Sequence, residues 1–87
     1  MYFVYILSSK IKPRYYVGYT SDLKTRLAYH NRGANRSTRG LRPWELVYSE
    51  RFKTKDDAWR REQQIKSYKG GRAFKALIES DSQGEVA

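Results

Sequence analysis

Tyr2-Phe3-Val4-Tyr5-Ile6-Leu7 is an unbroken run of apolar, β-favouring residues. A strand that is apolar on both faces must be covered on both faces, so it belongs at the centre of a sheet. A second such run, Tyr15 to Thr20, follows a polar stretch, Ser8 to Arg14, that contains Pro13. Together they are predicted to form an N-terminal β-hairpin with a tyrosine on each strand. The chain has 87 residues, which leaves room for one domain. A core of that size is marginal, and every amphipathic face has to be used. Its 8 Tyr, 3 Phe and 2 Trp help, because aromatic rings bury large areas per residue.

The remaining elements follow from caps and breakers. Ser21-Asp22 is an N-cap signal, and Gly33 is a natural stop, which predicts a helix from about Asp22 to Arg32. Residues 34–42 are small, polar and basic and are predicted as a loop that orders on binding. Glu45 to Phe52 reads as a third strand. Thr54-Lys55-Asp56-Asp57 has the form of a helix start, which predicts a second helix from about Lys55 to Ser67. Gly70-Gly71 breaks the chain. A short third helix follows, with Phe74, Leu77 and Ile78 on one face. Residues 80–87 show no apolar pattern and are expected to fray, leaving residues 1–79 as the domain. The order ββαβαα predicts a small α+β fold of three strands with helices packed on the sheet.

Composition narrows the function classes. Without cysteine there is no disulfide framework and no cysteine-based zinc site, as expected of a cytoplasmic protein. The N-terminus lacks the pattern of a signal peptide, and no apolar stretch approaches membrane-spanning length. The formal net charge is +9. Residues 1–78 carry 18 basic against 6 acidic groups, a balance of +12. Such a surface attracts polyanions, nucleic acid foremost. The charge is also clustered. Lys24, Arg26, Arg32, Arg36, Arg39 and Arg42 fall between Leu23 and Trp44 with no acid among them. Arginine binds phosphate at two points. Asn31, Asn35, Ser37 and Thr38 are placed to add hydrogen bonds to phosphate oxygens. Nothing in the chain points to a protein partner.

Helical spacing singles out three polar side chains. Leu23, Leu27 and His30 share the inward stripe of the first helix, and Arg26 lies at its edge. His30 is either a satisfied buried histidine or part of a site beside the tyrosines. On the second helix Ala58, Glu62 and Ile65 share a face, so a carboxylate interrupts a stripe that should be buried. Desolvating it is costly unless it is paired, with Arg26 as one candidate partner, or bound to a metal. Arg60, Arg61, Gln63 and Gln64 fall on solvated faces. Trp44 and Trp59 are expected as core or packing residues rather than platforms for nucleobases, although Trp44, beside the basic loop, could do either.

Phe3-Val4-Tyr5 and Tyr16-Val17-Gly18, followed by an Arg-bearing helix and then a Glu-bearing helix, resemble the GIY-YIG nuclease domain. The likeness runs from about Tyr2 to Ile78 and is strongest to the short, single-domain bacterial members. It departs at Phe3, where the first glycine of the motif would stand. The resemblance implies an antiparallel sheet and a metal-dependent endonuclease acting on nucleic acid, DNA in preference to RNA. It implies that Glu62 holds Mg²⁺ or Mn²⁺ and that Arg26 stabilises charge on the phosphoryl group. Tyr5 or Tyr16 would act as general base, with Tyr16 favoured by its place just before the Arg26 helix. His30 would accept or orient a tyrosine proton. Many members carry an Asn after the Glu helix, whereas this chain has none beyond Asn35. Lys66, Tyr68 or Lys69 stands in that region. The rival expectation is a DNA- or RNA-binding module on the same fold with negligible turnover.

Overall fold

The computed structural model describes the backbone of residues 1–86 and the side chains of residues 1–79. Strand β1 (Tyr2–Ser9) lies between β2 (Tyr15–Thr20) and β3 (Trp44–Phe52), and both pairings are antiparallel. The central place of β1 follows from its sequence. Val4 and Ile6 face one layer, and Tyr5 and Leu7 face the other. Val4, Ile6 and Leu7 are fully buried, each worth about 1.5–3 kcal/mol relative to exposure.

Helix α1 (Leu23–Asn31) covers the Tyr5 face through Leu23 and Leu27. The Asp22 carboxylate caps it, accepting from the Thr25 N–H at 3.1 Å. It ends at Gly33, whose φ of +83° suits glycine. Helix α2 (Lys55–Ser67) covers the Val4 face through Ala58 and Ile65, capped by the Thr54 hydroxyl. Helix α3 (Arg72–Val86) adds Phe74 to that layer. Fraying is expected from the sequence over residues 80–87; the described backbone carries α3 through Val86, and the side chains of residues 80–87 and Ala87 itself lie outside the described residues. No helix is long and apolar enough to cross a membrane among the described residues.

Three expectations are corrected. The loop of residues 34–42 is already held in the free chain, with a short 3-10 turn at Arg39–Leu41. Its carbonyls find fixed donors: Trp44 Nε1–H donates to Thr38 O at 2.9 Å, and the Ser9 hydroxyl donates to Leu41 O at 2.7 Å. Trp59 is not a core residue but 49% exposed, since α2 turns it away from the Ala58–Ile65 stripe. Arg61 is not simply solvated; it is half-buried and pairs with Glu50 of β3 at 2.7 Å.

Candidate active site

A cleft of about 430 Å³ opens beside β1 and β2, lined in part by Tyr5, Tyr16, Gly18, Arg26, Lys55 and Glu62. Tyr5, Tyr16, Arg26 and Glu62 are thus brought to one place from two strands and two helices. His30 stands directly behind. It is fully buried, and both ring nitrogens are engaged. Nε2 lies 3.2 Å from the Tyr5 hydroxyl, and Nδ1 lies 2.9 Å from the Thr38 hydroxyl. The Thr38 O–H points to the Asn35 carbonyl at 3.4 Å, so its oxygen accepts from Nδ1–H. Nε2 is then the bare nitrogen, and the Tyr5 O–H donates to it. The chain of bonds has one direction, from Tyr5 through His30 to Thr38 and Asn35.

Tyr5 is 3% exposed, and burial, with Tyr16 beside it, pushes its phenol well above the ordinary range. Arg26 acts in the opposite sense, and Glu62 raises it further. The cation expected to serve Tyr16 is therefore felt at Tyr5. Tyr16 is half-buried, its ring centre 6.3 Å from that of Tyr5 and 4.7 Å from that of His30. Tyr5, not Tyr16, has the histidine as a proton partner.

Gly18 is the Cα partner of Tyr5 in the sheet. A Cβ at Gly18 would meet the Tyr5 hydroxyl oxygen at 2.6 Å and its Cζ at 2.8 Å. The glycine permits a close approach, as its place in the motif suggests, and the group that approaches is the Tyr5 phenol lying across β2, which depends on strand register. Gly18→Ala gains about 0.5–1 kcal/mol of backbone propensity. Displacing the ring costs about 1–3 kcal/mol, so the variant is expected to be less stable. Denaturant unfolding checks the sign; a midpoint at or above that of the wild type would contradict this packing.

Glu62 is 7% exposed. Its ion-pair partner is Lys66, Nζ to Oε2 at 2.8 Å, and not Arg26. Of the three residues offered for the missing Asn, Lys66 is the one that contacts the carboxylate. Arg26 is half-buried, with its guanidinium carbon 4.9 Å from the centre of the Tyr29 ring. Arg32 lies over the same ring at 5.7 Å. A groove of about 290 Å³, lined by Arg26 and Arg32 and also by Asp22, shares Arg26, Thr20 and Ser21 with the cleft, so a surface with two guanidinium groups to one carboxylate leads into the site.

Lys24, Arg32, Arg36, Arg39 and Arg42 are all exposed. Arg39 and Arg42 also brace the loop, each donating from Nε to a backbone carbonyl, of Gly33 and Arg39 respectively. Thr38 does not belong with them. It is buried, and its hydroxyl is taken up by His30 and Asn35. Asn31 is likewise occupied, making two hydrogen bonds to the backbone of Trp44.

His30 has a consequence for acid stability. Burial, and then Arg26, lower its pKa below the ordinary ~6.5. Between that lowered value and ~6.5 the unfolded chain binds a proton that the folded chain refuses. Stability is full above ~6.5 and is lost as pH falls through that window. Asp22, lowered chiefly by hydrogen bonds from Thr25, acts in a separate window below ~3.9. The chain has one histidine, so its imidazole NMR signals report His30 alone. A midpoint below ~6.5, with the melting temperature falling over the same range, is the expected result. A midpoint at or above ~6.5 would contradict the buried, neutral ring.

Two strands and two helices that deliver a paired tyrosine, an arginine and a glutamate to one cleft define a known class. The GIY-YIG catalytic domain model matches residues 1–73, and the chain belongs to that family. Its relatives are short single-domain members called UPF0213 proteins. One from Natronomonas pharaonis is 40% identical over 84 residues, covering 95% of each chain. Another from Staphylococcus haemolyticus is 38% identical, covering 90% of this chain and 95% of its own. The solution NMR structure of a UPF0213 protein from Bacillus halodurans superposes with a TM-score of 0.52 at 35% identity. That match covers 91% of this chain and 82% of the other.

Proposed function

We propose that the protein is a metal-dependent endonuclease that hydrolyses phosphodiester bonds of DNA. The observation that carries this reading is the convergence of Tyr5, Tyr16, Arg26 and Glu62 on one cleft, with His30 hydrogen-bonded behind Tyr5. The basic groove leading to Arg26 supports a polyanionic substrate. Family membership supports a nuclease-type chemistry.

Among the described residues no three His, Cys, Asp or Glu side chains gather to hold a metal. The donor set in the cleft is one carboxylate, the sparse protein ligation that Mg²⁺ accepts when water and phosphate oxygens complete its shell. The residues fit Mg²⁺ or Mn²⁺ held by Glu62. When bound, the ion would polarise the phosphate and stabilise the departing oxygen.

The chain's own residues account for the rest. A water oxygen attacks phosphorus while the bond to the leaving sugar oxygen breaks. The water proton passes to the Tyr5 oxygen as Tyr5 passes its own proton to His30 Nε2. This concerted hand-over avoids a free phenolate, which burial makes costly. His30 is neutral at physiological pH, so Nε2 carries the lone pair that receives the proton. Arg26 faces the negative charge that grows on the phosphoryl oxygens. Tyr16 lines the cleft and supports the attacking water or the phosphate. Lys66 pairs with the Glu62 carboxylate, and a bound metal would replace part of that pairing.

Incubating the protein with labelled single-stranded, nicked, branched and duplex DNA, with Mg²⁺ or Mn²⁺ against a chelator, tests the reading. Metal-dependent cleavage is expected. No cleavage of any substrate with either metal would leave a DNA- or RNA-binding module. That second reading draws support from the Glu62–Lys66 ion pair, which already satisfies the carboxylate.

The exposed arginines supply a further expectation. Arg36→Ala and Arg39→Ala should weaken binding of all DNA sequences alike. The slope of log affinity against log salt should become shallower by about one per lost phosphate contact. Arg36 is the cleaner probe, because Arg39 also braces Gly33. An unchanged salt slope would remove these residues from the phosphate surface.

A further inference from the structure

A second cavity, of about 400 Å³, adjoins the cleft on the far side of Tyr16. It lies between β2, one of the two outer strands of the sheet, and the turn that joins α2 to α3. Tyr15, Tyr16 and Phe74 supply aromatic surface, and Lys66 and Lys69 supply charge. Its volume falls in the range of about 300–1,000 Å³ that holds small organic groups.

The lining is suited to a planar ring beside a phosphate. Tyr15 is 51% exposed, unusual for so large a ring, and stands edge-on to Phe74 with centres 5.1 Å apart. That contact orients the ring, while about half of the residue's surface stays exposed. Lys69 has a φ of +52°, a left-handed conformation that glycine adopts without strain. A lysine nevertheless stands there, among the residues that line the cavity. Both cavities share Tyr16, and Lys66 of the second cavity is the residue paired to Glu62 of the first.

We propose that this cavity receives one unpaired base of a single-stranded DNA whose backbone occupies the neighbouring cleft. A paired base cannot leave its stack to enter a side cavity without breaking pairing, so the site selects unpaired strands over blunt duplex. The proposal rests on the nuclease reading only for the path of the strand.

The test is binding in chelator, where no turnover is needed. Tyr15→Ala should weaken binding of single-stranded oligonucleotide about 5- to 150-fold, the loss of one stacked base, and leave blunt duplex unchanged. Tyr15→Phe, which keeps the ring, should bind as the wild type does. A single abasic position in the oligonucleotide should reproduce the loss in the wild type and add nothing in Tyr15→Ala. Lys69→Gly should weaken single-strand binding without lowering the melting temperature. No loss in Tyr15→Ala, an equal loss on both DNA forms, or a flat abasic scan would overturn the proposal. Sedimentation provides a further check. A wild-type dimer that Tyr15→Ala dissociates, with single-strand affinity unchanged, would mean that a second copy covers the cavity, and would also overturn it. A wild type that never cleaves, yet shows the abasic pattern, would remove the nuclease reading and keep the base site.

Discussion

Glu62→Gln is expected to fold, to bind DNA and to cleave at no more than background rate. The side chain is nearly isosteric, and it sits on the stripe of α2 between Ala58 and Ile65, which continue to pack against β1. What changes is charge. The amide is a poor ligand for a hard divalent cation, and the cleft has no other carboxylate among its lining residues. The loss should be at least about 10²-fold, more than the removal of a supporting outer partner usually costs. Lys66 loses its partner but is half exposed, so its ammonium is solvated and the fold does not suffer. Cleavage assays and Mn²⁺ binding by paramagnetic broadening read the two effects separately. Wild-type turnover, or unchanged Mn²⁺ binding, in this variant would sink the assignment of Glu62 to the metal.

Tyr5→Phe should lose cleavage by about 10²–10⁴-fold, the usual contribution of a positioned proton-transfer group. Phenylalanine keeps the ring over Gly18 and removes only the hydroxyl that donates to His30. Tyr→Ala would be a poor test, since a void in the Tyr5–Leu7–Trp44 cluster would confound packing with chemistry. Tyr16→Phe should lose less, because no histidine nitrogen is hydrogen-bonded to its hydroxyl among the described residues. Single-turnover rates on the same DNA, with binding measured alongside, decide between them. A larger loss in Tyr16→Phe would reverse the two roles. Wild-type rates in both variants would leave the tyrosines structural and the mechanism without a base.

Much of this arrangement is visible in the chain because helical spacing is a local property. The stripes Leu23–Leu27–His30 and Ala58–Glu62–Ile65 point their polar members inward whatever the rest of the fold does. The strand order agrees with the doubly apolar character of β1. What the chain does not announce depends on closure between distant segments. Thr38 reads as a solvent-facing hydroxyl until the loop folds back and places it on His30. The role of Gly18 exists only in one register of the hairpin. The exposure of Trp59 follows from its place about 100° round the helix from Ala58, so this one was within reach of helical spacing. Lys66 is four residues after Glu62 on the same helix, so that pairing was within reach of the i, i+4 rule.

β1 sends Val4 towards the layer that holds α2 and Tyr5 towards the layer that holds α1. The cleft takes its arginine from α1 and its carboxylate from α2. Neither layer contains the whole set. A chain growing from its N-terminus carries Tyr5, Tyr16, Arg26 and His30 well before Glu62 is made, and they remain an incomplete assembly until α2 docks. Any opening that lifts α2 from the sheet dismantles the set again. Whatever reaction the cleft performs is a property of the finished molecule, because no half-made or half-melted copy holds the arginine and the carboxylate together.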